Sequence, residues 1–100
     1  MIRTIAAAVF TLALAACGAS APGPLAGTWQ ADGAMPLKTT FRAGETETMG
    51  IIEHVSYDVQ GQSVIVTYKD GLMKGNAVRF VLVNPSTAQA MNMTYRRVGG

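Results

Sequence analysis

The sequence predicts an all-β domain: a small antiparallel meander of six to seven strands, curled into a barrel or half-barrel and preceded by an N-terminal signal helix. Three observations predict it. From Leu25 onward no stretch carries a helical apolar stripe. Apolar residues recur instead at every second position over short runs, as in Val64, Val66 and Tyr68 or Val78, Phe80 and Leu82. Between the runs stand turn formers such as Gln60-Gly61-Gln62 and Asn84-Pro85-Ser86.

Taken in order, residues 25–30 (LAGTWQ) form a first strand and residues 37–42 (LKTTFR) a second. Ala43-Gly44-Glu45 is turn-like. Residues 47–59 read as one long strand in which Gly50 marks a bulge or a break. Residues 63–69 (SVIVTYK) follow, then a loop over residues 70–75, then a strand over 76–83 (NAVRFVLV). Residues 88–98 (AQAMNMTYRRV) read as the last strand, with Met91, Met93 and Tyr95 on its core face. Short connections between consecutive strands imply antiparallel neighbours, and curling protects the apolar face and removes exposed edges. The interior of so small a barrel is narrow and filled by its own side chains, which argues against a large ligand cavity.

Composition assigns the remaining residues. Hydrophobic residues make up 49% of the chain and charged residues 14%, but the apolar excess lies at the N-terminus. Residues 4–16 (TIAAAVFTLALAA) carry no charge, and Arg3 precedes them. A positive start, an apolar run of about 12 residues and small residues after it describe a secretory signal. The run is too short to span a bilayer, which takes about 20 apolar residues. The expected division is therefore a signal over residues 1–16, a tether over 17–24 and the β domain over 25–98. The tether GASAPGP has no apolar side chain larger than proline and gives no reason to pack.

Leu14-Ala15-Ala16-Cys17 resembles the lipobox of bacterial lipoproteins. The resemblance implies that the leader is cut before Cys17 and that the Cys17 thiol is acylated by diacylglycerol, with Leu14, Ala15 and Ala16 as the recognition residues. It implies a membrane partner through the lipid anchor. Because Gly18 rather than an aspartate follows the cysteine, it implies the periplasmic face of the outer membrane. Cys17 is the sole cysteine, so an acylated chain has no thiol for a disulfide or for catalysis. Without Arg3 the eight Lys and Arg fall to seven, against six Asp and Glu. There is no basic run, so no nucleic-acid partner is expected.

Gly27-Thr28-Trp29 is similar to the Gly-x-Trp motif on the first strand of lipocalin-like domains. That resemblance implies that Trp29 closes one end of the barrel and that an arginine from the last strand, Arg96 or Arg97, packs over it. Lipocalins have eight strands and roughly twice this length, so the resemblance extends to the closing device and not to a ligand cavity.

Other candidate residues point less far. His54 is the only histidine. A metal centre needs further ligands, and acid–base chemistry needs a partner. Glu53 lies on the opposite face of the strand, and Ser56, on the same face as His54, lacks a third group. No catalytic residue and no cofactor are therefore expected, and the chain is not expected to be an enzyme. Met91, Met93 and His54, with Met49, offer soft sulfur and imidazole ligands for Cu(I); the competing reading packs Met91 and Met93 in the core. Leu72 and Met73, between Gly71 and Gly75, form either a contact loop for a partner or a flap folded over the barrel mouth. The expected function is a non-catalytic binding or scaffolding domain acting on an envelope protein. A small-ligand or copper carrier, a hydrolase inhibitor and an accessory lipoprotein of a secretion or pilus assembly are the alternatives.

Overall fold

A computed structural model of the chain describes residues 20–33 and 36–99. The signal stretch 1–16, Leu14-Ala15-Ala16-Cys17 and the first part of the tether lie outside the described residues, as does Met35. Eight strands close into an antiparallel meander barrel. They are β1 (Gly27–Ala31), β2 (Lys38–Arg42), β3 (Glu45–Thr48), β4 (Ile51–Gln60), β5 (Ser63–Tyr68), β6 (Ala77–Asn84), β7 (Thr87–Ala90) and β8 (Met93–Gly99). Each pairs with the next, and β8 returns to β1.

The expected count of six to seven strands is corrected to eight, and the reason is local. Residues 47–59 are two strands: Met49 and Gly50 adopt φ of 54° and 80°, and Thr48 pairs with Ile51 across them. Residues 88–98 split likewise, with Met91 and Asn92 at φ 52° and 61° and Ala90 paired with Met93. Both connections are two-residue turns with left-handed backbone at each position, the form whose twist suits a hairpin. Asn-Gly or Asp-Gly normally announces it. Here a methionine leads each turn, so the usual signal is missing.

Alternation along the strands sends Trp29, Phe41, Val55, Tyr57, Val64, Val66, Val78, Phe80, Leu82 and Tyr95 into the barrel. Phe80 packs edge-on to Phe41 (5.2 Å between ring centroids) and to Tyr95 (5.3 Å), near the favoured geometry for aromatic pairs. The core face assigned to β8 is half right. Tyr95 is buried, but Met91 sits in the turn and Met93 at the open mouth, and both are exposed.

The strands run alternately between two ends. At the near end lie the start of β1 and the turns at 43–44, 61–62 and 85–86; at the far end lie the connections 32–37, 49–50, 69–76 and 91–92. The expected free tether is corrected here. Residues 20–25 underlie the near end: the Gly44 amide donates to the Ser20 carbonyl (2.7 Å), Pro22 is buried, and a single 3-10 turn (Gly23–Leu25) carries Leu25 into the core. Gly23 permits the approach. Its φ is +59°, and a Cβ there would stand 2.9 Å from Val59 Cγ2.

Tyr57 ties β4 to the near-end turn. Its Oη lies 2.8 Å from both the Arg42 and the Glu45 carbonyl oxygens, to which its single proton donates. Burial raises the Tyr57 pKa well above that of a free phenol, helped by Tyr68 and Glu45. Burial, with Glu53 second, pushes Tyr68 up to about 12. A raised phenol pKa stabilises the fold fully below about pH 10, where unfolded tyrosine is still neutral. That stabilisation falls as the pH climbs toward the folded values, because the unfolded chain gives up its protons first. Urea midpoints should therefore hold steady from pH 7 to 9 and fall between pH 10 and 12. Tyr57→Phe should be about 1 kcal/mol less stable at pH 8, through its lost hydrogen bond, with a shallower alkaline limb.

Candidate functional site

The near end is closed by a cross-strand pair. Trp29 on β1 sits opposite Arg97 on β8, beside a bulge in that register. The Arg97 guanidinium carbon lies 4.4 Å from the Trp29 ring centroid. Its Nε donates to the Pro85 carbonyl (3.0 Å) and Nη2 to the Pro24 carbonyl (2.8 Å), while Nη1 donates to the Ala26 carbonyl. The Trp29 indole N–H donates to the Leu25 carbonyl (2.9 Å). The residues thought to form a tether thus supply the acceptors. Strand parity decides between the two arginines: Tyr95 and Arg97 face inward, while Arg96 faces out, where its Nε donates to Asp32 (3.0 Å). A cavity of about 310 Å³ borders this cap between Pro24, Leu82, Pro85 and Arg97. With Nε, Nη1 and Nη2 all bonded to carbonyls, Arg97 closes the barrel rather than presenting charge to a ligand.

The far end is built differently. Asp70 accepts the His54 backbone N–H at Oδ1 (2.8 Å), and its Oδ2 lies 2.7 Å from His54 Nδ1. These hydrogen bonds, the backbone one foremost, hold the Asp70 carboxyl below its ordinary pKa. An ionised carboxylate accepts only, so Nδ1 carries the proton of this hydrogen bond. The Lys69 amide donates to the His54 carbonyl (2.8 Å) and the Gly75 amide to the Tyr68 carbonyl (2.9 Å). Inside the loop the Asn76 amide donates to the Met73 carbonyl (2.9 Å). Met73 packs against the core, while Leu72, its neighbour, is 99% exposed. Of the two expected forms of this loop, Met73 takes the flap, folded back against the core, while Leu72 projects from it.

The far end gathers most of the exposed large apolar side chains among the described residues. Leu37 precedes β2; Met49, Ile51 and Ile52 form the β3–β4 hairpin; Leu72 tips the β5–β6 loop; and Met91 and Met93 flank the β7–β8 turn. A cavity of about 440 Å³ lies beside that turn, bordered by Arg79, Gln89, Met91, Asn92, Met93 and Thr94.

The proposed copper ligands are not brought together. His54 is on β4, and Met91 and Met93 adjoin β8, on the opposite side of an eight-stranded ring. Among the described residues no three His, Cys, Asp or Glu side chains cluster to hold a metal ion. The His54–Asp70 pair escaped the sequence because its members are 16 residues apart. Asp70-Gly71 at the head of a loop was the one available sign.

A scan against protein-family models found no match, and searches of curated proteins and of solved structures found none either.

Proposed function

We propose that the chain is a lipid-anchored envelope protein, held through Cys17 on the periplasmic face of the outer membrane, whose barrel serves as a non-catalytic binding or scaffolding domain. The observation that carries the second part is the interior. Trp29, Phe41, Phe80 and Tyr95 fill the barrel, and most of the large apolar side chains left exposed stand at the far-end connections. Work done by such a domain is done at its surface. The first part draws its support from Leu14-Ala15-Ala16-Cys17 and from Ser20, which lies three residues after the cysteine and is already fastened to the near end. Three residues reach at most about 11 Å, so an acyl chain on Cys17 would set the near end against the lipid. Multiple acyl chains contribute about 0.8 kcal/mol per buried methylene, enough for stable attachment.

The test is Cys17→Ser in growing cells. Labelling by a fatty-acid probe should vanish, an uncleaved precursor should accumulate, and the protein should leave the outer-membrane fraction. Labelling and processing at the wild-type level would overturn the anchor.

A further inference from the structure

We propose that the far end of the barrel is a docking face for a protein partner, and that Leu72 seats in an apolar pocket of that partner whose rim is acidic. The proposal rests on the anchored-binding reading above, and it names the face and the chemistry of the partner.

The two ends of one barrel differ in kind. Near-end turns carry Ala43-Gly44, Gly61-Gln62 and Pro85-Ser86; each of the four far-end connections carries or adjoins an exposed apolar residue, Leu37, Met49, Leu72 or Met91. Met49 and Met91 hold φ of 54° and 52°, where hairpins prefer asparagine, aspartate or glycine. Methionine there opposes the local preference and adds nothing to the core, since both side chains are exposed. Departures of this kind collect at functional sites. Methionine also suits a contact face, because its flexible thioether adapts to an irregular partner.

Leu72 is held ready rather than left loose. Asp70 fastens the loop to His54 at two points, and Met73 roots it in the core, so an exposed leucine stands on an ordered support. A loop ordered beforehand loses little freedom on binding. The closed barrel leaves no strand edge for a partner to extend, so contact must pass through side chains such as these.

Charge and topology select the occupant. At this end Asp32 is paired with Arg96, and Asp70 is hydrogen-bonded to His54. Lys38, Lys69 and Lys74 take part in no ion pair among the described residues, and they outnumber the two carboxylates set against them, Glu53 and the hydrogen-bonded Asp70. Unpaired lysines around an apolar tip favour an acidic rim on the partner and disfavour a second copy of the same face. A bilayer is disfavoured because Ser20 is bonded at the opposite end, which turns this end away from an anchor at Cys17.

The experiment places a photo-cross-linking benzoylphenylalanine in the full-length chain in its own cells, singly at positions 72 and 49 and, at the near end, 83 and 86. One acidic protein should be captured from 72 and 49 and not from 83 and 86. Purified, it should bind the full chain about tenfold or more weakly after Leu72→Asp, and similarly after Lys69→Glu with Lys74→Glu. Binding should weaken as salt rises. Leu72→Asp should melt at the wild-type temperature, and Leu72→Met should restore most of the affinity. Capture of the chain itself, of lipid, of the same protein from all four positions, or of nothing from 72 and 49 would overturn the proposal. Fatty-acid labelling of Cys17 in the same cells separates the two readings. A labelled chain without far-end capture removes the docking face alone; an unlabelled chain with it removes the anchor alone.

Discussion

Trp29→Ala should leave the domain largely unfolded at 37 °C. The side chain is fully buried and among the largest in the core. Truncating a buried tryptophan or phenylalanine to alanine typically costs about 3–5 kcal/mol. A domain of about 75 residues has only about 4–11 kcal/mol in total. Three further losses coincide at this site. The Leu25 carbonyl loses its indole donor, Arg97 loses the ring beneath it, and the 3-10 turn loses the wall on which Leu25 packs. Trp29→Phe retains most of the buried area but not the hydrogen bond, and should cost about 1–3 kcal/mol. Circular dichroism melts of the three proteins give the ranking. Trp29→Ala melting within a few degrees of wild type would mean that the barrel does not depend on its near-end closure.

Arg97→Met should destabilise by about 2–4 kcal/mol, whereas Arg96→Met, one residue away, should change stability by less than about 1 kcal/mol. Arg96 makes one exposed ion pair with Asp32, and such pairs contribute about 0–1 kcal/mol. Arg97 stacks on Trp29, worth about 0.5–2 kcal/mol. It also satisfies carbonyls from three separate segments, those of Pro24, Ala26 and Pro85. Hydrogen bonds from a charged donor contribute about 1.5–3 kcal/mol each when formed singly, and three on one guanidinium add less than their sum. Arg97→Lys keeps the charge but not the planar fork, and should fall between the two. Equal urea midpoints for the Arg96 and Arg97 variants would show that the alternation of β8 does not set their roles.

Much of the barrel was legible because its central strands follow the two-residue period without interruption. β5 and β6 alternate as Val64, Val66 and Val78, Phe80, Leu82 require, and glycine or proline punctuates the turns beside them. Two hairpins were illegible because methionine holds the positions where asparagine or aspartate would mark the turn. That one substitution of turn chemistry hid two strands and put Met91, a turn residue, on a strand face, whereas Met93 does share the face of Tyr95 but stands at the exposed end of β8. The segment 20–25 was misjudged for another reason. It contributes backbone carbonyls and a buried proline, and composition says little about either. Trp29 as an end-closing residue was implied by the resemblance of Gly27-Thr28-Trp29 to the lipocalin-like motif, but choosing Arg97 over Arg96 required the register of β8. Of the His54–Asp70 clamp only the loop-opening Asp70-Gly71 was legible, since no local pattern links a strand residue to a loop carboxylate 16 positions away.

The seam between β1 and β8 also orders events in time. Thr28 pairs with Gly99 and Trp29 with Arg97, so the ring is sealed by residues some 70 positions apart in the chain. Seven strands can hairpin one after another as the polypeptide emerges, but the sheet stays open until the eighth arrives. Until then Trp29 has no lid, and β1 and β7 each offer a bare edge. A chain stopped before Met93 would therefore be a sticky fragment and not a slightly shorter barrel. Completion of the chain and concealment of the apolar interior become a single step.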